Sequence, residues 1–200
     1  MLGKEVKNSM RKVILFMIVT LDGFIGGPNG ELDWMVKDDE MDKVLITDLL
    51  STVDTILVGR ATYQVFENYW PVVATNPSSS KDMIDLAHWI ENTPKIVFSK
   101  TLEKVEWKNS RLIKENIADE IAKLKQQPGK DMVIFGGVGI VSTFIKLGLV
   151  DEYRLRVHPV ALGSGKPLFK DIKDRMKLKL LKCEKFNSGV VALHYQPEKK

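Results

Sequence analysis

Residues Val13–Val19 read VILFMIV, an unbroken apolar run rich in β-branched side chains and closed by Asp22. The run is far short of the ~20 residues that cross a bilayer. A strand that is apolar on both faces must be covered on both faces, as a central strand in a parallel sheet sandwiched by helices is. The rest of the chain then has to supply more strands and two sets of helices.

The pattern meets that demand. Short apolar runs at Thr55–Val58, Lys95–Ser99, Leu112–Lys114, Asp131–Phe135 and Asp151–Val157 read as strands. Asp38 and Asp39 open an amphipathic stretch through Leu49, with acids at its front, and this predicts a helix. Thr62–Glu67 predicts a short helix, followed by a long polar connection through Pro71, Asn76-Pro77 and the serines at 78–80. Ile117, Ile121 and Leu124 form a helical stripe ending near Pro128-Gly129, and Val138–Lys146 predicts a helix closed by Gly148. Leu178–Glu184 and Val190–Tyr195, separated by Asn187-Ser188-Gly189, predict a terminal hairpin. The expected fold is three-layer α/β/α with a mostly parallel mixed sheet and an antiparallel C-terminal edge. It is expected as one domain over 11–197 behind a flexible leader at 1–10.

Composition narrows the function classes. The net charge of +4 is spread along 200 residues, without the dense basic stripe of a nucleic-acid binder. Cys183 is the single cysteine, so no internal disulfide or thiolate cluster forms, and three scattered histidines suggest no metal. With no cleavage site after the apolar run, a cytoplasmic protein away from membranes is expected.

Ligands of open α/β sheets bind beyond the carboxyl ends of the strands. Gly136-Gly137-Val138-Gly139 lies between a strand and a helix, where backbone N–H groups can approach an anion; a tight turn explains the glycines equally well. Gly59, Arg60 and Thr62 repeat that logic, and Ser99 and Lys100 end a third strand. Three such ends suit an extended, multiply phosphorylated cofactor. Asp22 and Asp39 are the carboxylates expected near a pocket, with a turn and a helix N-terminus as their plainer roles. Trp34 and Ile25 are candidates for an apolar wall. No nucleophile–base pair stands out, and hydride transfer needs none.

Taken in order, these motifs resemble the dihydrofolate-reductase superfamily, and within it the C-terminal reductase domain of the bifunctional riboflavin-biosynthesis enzyme. The likeness is carried by Thr20–Gly26, Val58-Gly59-Arg60 with Thr62-Tyr63, Phe135–Gly139, Leu149–Glu152 and the long segment His158–Phe169. The resemblance implies an NADPH-dependent reductase of a small heterocyclic or ribosyl molecule, often a homodimer. It implies that Gly59, Arg60 and Thr62 hold phosphates, that Ser99 and Lys100 lie near the adenosine 2′-phosphate, and that Gly136, Gly137, Val138, Gly139 and Ile140 wrap the pyrophosphate. Ile18, Ile25 and Gly26 would sit near the nicotinamide. Phe16 and Phe135 stand where the riboflavin enzyme has a lysine and a glutamate, so both are expected at the substrate, with Trp34. Leu32 and Trp34, with Asp39 beyond them, resemble dihydrofolate reductase itself. Pteridine reduction and a non-catalytic nucleotide-binding dimer are the alternatives.

Overall fold

The computed structural model describes residues 10–198, so most of the expected leader lies outside the described residues. The strands are β1 (Val13–Thr20), β2 (Val53–Gly59), β3 (Lys95–Phe98), β4 (Ser110–Ile113), β5 (Asp131–Phe135), β6 (Glu152–His158), β7 (Leu178–Lys185) and β8 (Val191–Pro197). They form one eight-stranded sheet in the order β4-β3-β2-β5-β1-β6-β8-β7. Pairings from β4 to β6 are parallel, whereas β8 runs antiparallel to both β6 and β7.

β1 sits in the middle because its apolar side chains fill both faces. Val13, Leu15, Met17 and Val19 point into one core, and Ile14 and Phe16 into the other. The first core is closed by α4 (Ile117–Gln126) and α5 (Val138–Lys146), through Ile121, Leu124, Val141 and Phe144. The second is closed by α1 (Asp39–Thr52), α2 (Arg60–Thr75) and α3 (Lys81–Asn92), through Ile46, Leu49, Tyr63, Trp70, Leu86, Ala87 and Ile90. The mostly parallel mixed sheet, the two helical layers and the C-terminal hairpin are those expected from the sequence.

Two local expectations are corrected. The short helix over Thr62–Glu67 is a 16-residue helix from Arg60 to Thr75 that runs through Pro71. Proline normally ends a helix because it lacks an N–H and crowds the preceding turn. Here Trp70 and Val73, buried on either side of it, hold the helix on the sheet. The polar connection is correspondingly short and leads into α3, whose N-cap Ser80 accepts a hydrogen bond from the Met83 N–H.

Lys95 opens β3 while buried almost completely. Its ammonium donates to the carbonyls of Ile90 (2.7 Å), Thr93 (2.8 Å) and Glu91 (3.1 Å), and lies 4.3 Å from the centroid of the Trp107 ring. A single cation thereby caps the C-terminus of α3, where carbonyls lack helical partners.

Candidate active site

A cleft of about 910 Å³ opens at the carboxyl ends of β2, β3, β4 and β5. The structure brings the expected anion-binding residues together in it. Gly59, Arg60 and Thr62 follow β2, Ser99 and Lys100 follow β3, and Gly137 through Ile140 follow β5. Gly136 lies directly behind, its φ at 155°. Arg60 donates to the Thr101 hydroxyl at 3.0 Å, and Ser99 Oγ accepts from the N–H groups of Thr101 and Leu102. Lys114, Asn116, Thr143 and Lys166 also line the cleft and were not anticipated. Lys166 belongs to the long His158–Phe169 segment, so only its placement was missing.

Three helices begin at this cleft. Their N-caps are Gly59 for α2, Asn116 for α4 and Gly137 for α5, and none has a side-chain capping hydrogen bond. The two helices that start elsewhere, α1 and α3, are capped by Asp38 and Ser80. Unpaired N–H donors and the positive ends of three helix dipoles therefore converge on the same space. Arg60, Lys100, Lys114 and Lys166 add four cations against the single acid Glu115.

The glycine loop divides its roles. At Gly136 a Cβ would come within 3.0 Å of Ile140 and 3.1 Å of Thr62. At Gly137 a Cβ would meet nothing within 4 Å, and φ is an ordinary −77°. Gly136 is thus needed for packing, and Gly137 leaves space within the cleft.

The expected nicotinamide and substrate residues lie along β1, its following loop and the end of β5. Ile18 packs on the α1 side of the sheet and Ile25 on the other. The loop is clamped by the 158–168 segment: Ile25 N–H donates to Lys166 O, Lys166 N–H to Gly26 O, and Leu168 N–H to Gly23 O. Phe16 and Phe135 meet edge-on at 6.0 Å, with Phe66 5.9 Å from Phe135. Trp34 donates its indole N–H to Glu31 O and sets its ring edge-on to His158 at 5.7 Å.

The two expected carboxylates have plain structural surroundings. Asp22 accepts from the Thr20 hydroxyl and the N–H groups of Gly163 and Leu162, which ties the loop to its clamp. The Thr20 hydroxyl, then the Gly163 N–H, hold its carboxyl below the usual range. Asp39 is exposed at the first residue of α1. Asp42, also in the first turn of α1, is half-buried one helical turn before Ile46. Burial, followed by repulsion from Asp39 and Asp38, pushes its carboxyl above the ordinary value.

The mostly parallel mixed sheet between two helical layers is a reductase-like fold of the dihydrofolate-reductase type. The RibD C-terminal domain model matches residues 11–192, and the chain belongs to that family. It is 45% identical over 185 residues to the uncharacterized protein YyaP of Bacillus subtilis (strain 168), covering 92% of this chain and 94% of that one. A Shewanella sp. PV-4 protein provisionally named for riboflavin biosynthesis superposes with a TM-score of 0.72 at 25% identity, over 94% of this chain and 99% of its own. Dihydrofolate reductase from Enterococcus faecalis, in a complex with NADP(H), shares the fold with a TM-score of 0.60 at 14% identity, over 96% of this chain and 98% of that one.

Proposed function

We propose that the protein is an NADPH-dependent reductase of a small heterocyclic molecule. The observation that carries this reading is the convergence of three helix N-termini without side-chain caps on one basic cleft. Such an array suits a ligand with several phosphates in a row. Gly59, Arg60 and Thr62 would hold phosphate oxygens, Gly136 through Ile140 would face the pyrophosphate, and Ser99 with Lys100 would meet the 2′-phosphate. The NADP(H) complex of the Enterococcus faecalis enzyme supports the choice of cofactor. When bound, NADPH supplies a hydride.

The protein's own contribution is position and environment. The clamp from 158–168 fixes the β1 loop, and with it Ile25 and Gly26. Phe16, Phe66 and Phe135 make an apolar aromatic wall suited to a flat ring. Burial holds the Asp42 carboxyl above the ordinary aspartate value.

Fluorescence titration tests the first step. NADPH is expected to bind more tightly than NADH, with the difference growing at low salt. Equal dissociation constants would remove the 2′-phosphate assignment. Steady NADPH oxidation with a reducible uracil or pteridine separates an enzyme from a nucleotide-binding dimer.

A further inference from the structure

β6 is an interior strand, flanked by β1 and β8, yet one of its faces is polar throughout. Tyr153, Leu155 and Val157 join the α4/α5 core, whereas Glu152, Arg154, Arg156 and His158 alternate onto the α1 side. The first two neutralise each other: Arg154 Nε donates to Glu152 Oε1 at 2.7 Å, and its Nη1 pairs with Asp48 of α1. The last two have no such partners.

Arg156 is 4% exposed, and its side chain forms no ion pair or hydrogen bond among the described residues. Its guanidinium carbon lies 5.9 Å from the Phe16 ring centroid and 5.5 Å from that of Phe186. The surrounding charges are Asp42 and Asp48 from α1, Glu184 from β7 and Arg154 beside it, and among the described residues no acid is within salt-bridge distance. Ring faces attract a cation but do not satisfy the hydrogens of its fork. His158 is fully buried, and its Nδ1 accepts from the Val36 N–H at 3.0 Å. The ring proton therefore belongs on Nε2, which is buried without a partner among the described residues. Two orphaned donors thus stand on the same face at the carboxyl end of one strand, carried by residues whose backbones are about 7 Å apart. Arg156 pairs in register with Ile18, and His158 with Thr20, next to the Phe16 and Phe135 wall.

We propose that Arg156 and His158 anchor an anionic oxygen group of the substrate, so that the molecule acted on carries a carboxylate, a phosphate or an ionised ring oxygen. A buried guanidinium with no acid in ion-pair contact is costly to hold, and an incoming oxyanion accepting from its fork and from His158 Nε2–H removes that cost. The inference deepens the reductase reading, and rests on it only in naming the ligand a substrate. The sites are separate: neither Arg156 nor His158 lines the basic cleft.

The test uses the full chain with benzoate, neutral benzamide and inorganic phosphate as probes, before and after saturation with NADPH. Benzoate, phosphate or both should raise the melting midpoint, and benzoate should bind at least about tenfold more tightly than benzamide. Arg156→Met should abolish the response. It should also melt no lower than wild type without ligand, since an apolar chain of similar volume replaces an uncompensated cation. A response to benzoate alone identifies a ring-borne anion, and one to phosphate alone a phosphate ester. Should the Met variant fail to fold, Arg156→Lys decides: it keeps the charge but loses the fork, so affinity should fall about tenfold. Silence of wild type toward both anions, or equal affinity in the Lys variant, overturns the proposal. NADPH titration of wild type reports separately on the reductase reading, which can fail while the anion site stands.

Discussion

Replacing Gly137 with alanine isolates what the glycine loop does for a ligand from what it does for the fold. The added methyl would meet no protein atom within 4 Å, and the backbone at φ −77°, ψ 172° suits alanine as well as glycine. Alanine is the poorer N-cap by about 0.5–1 kcal/mol. Restricting the unfolded chain returns about 0.4–1 kcal/mol. Stability should therefore change by no more than about 0.5 kcal/mol, or ~2 °C in melting midpoint for a chain of this size. The methyl occupies the space from which backbone N–H groups would approach a pyrophosphate, so NADPH should bind at least ~1.4 kcal/mol, or tenfold, more weakly. Gly136→Ala behaves oppositely. Its Cβ would press on Ile140 and Thr62 at a φ of 155°, at a cost of about 1–3 kcal/mol in stability. Circular dichroism melts and fluorescence titrations on both variants read the two effects. A folded Gly137→Ala variant with an unchanged NADPH dissociation constant refutes the cradle, and Gly137 is then only the residue that starts α5.

Arg60→Met should weaken NADPH binding by ~1.5–3 kcal/mol, the worth of a charge-assisted hydrogen bond, as read by the same titration. Lys95→Met leaves three carbonyls at the end of α3 without their donor. It should lose about 3 kcal/mol, seen as a fall of roughly 6–12 °C in melting midpoint. Burial holds His158 and His194 below the ordinary histidine value of 6.5, so the native state binds fewer protons than the unfolded chain below that pH. Stability should then fall on acidification from about pH 7 to pH 5 and recover as pH rises, with a shallower slope in His194→Gln. A melting midpoint that is flat over this window would mean that both rings are charged in the native state.

Much of the sheet is legible in the sequence because its strands are continuous apolar runs that end in glycine or a polar turn. Val13–Val19 alone demands cover on both faces, and the two cores deliver it. α3 escapes that reading because Asn76-Pro77 and the serines before it dominate the eye. Its own signal, Met83, Leu86, Ala87 and Ile90 at helical spacing behind an N-cap serine, is nevertheless present. The basic cleft is legible for the same reason as the strands: glycine at a strand end is conspicuous. The division between Gly136 and Gly137 is not, since it depends on where Ile140 and Thr62 come to rest. Of the first-turn acids of α1, Asp42 rather than Asp39 is half-buried, a matter of helix phase that no spacing rule fixes. Glu152-x-Arg154-x-Arg156-x-His158 is a clear period-2 polar stripe in the sequence. Its meaning emerges only once β8 closes the far side and makes the strand interior.

The central place of β1 also sets the order of events during synthesis. Its first residues are held by chain that arrives much later: the Lys12 N–H by the Asp131 carboxylate, 119 residues on, and the Val13 N–H by Asp151, 138 residues on. At ribosomal speeds of about 5–20 residues per second, both neighbours of β1 are missing for on the order of ten seconds. Throughout that interval the most apolar segment of the chain, without a charge or proline to interrupt it, has nothing to pair with. The strand that organises the finished molecule is thus the nascent chain's principal hazard, and a polypeptide released before β5 emerges would carry that sticky segment permanently uncovered.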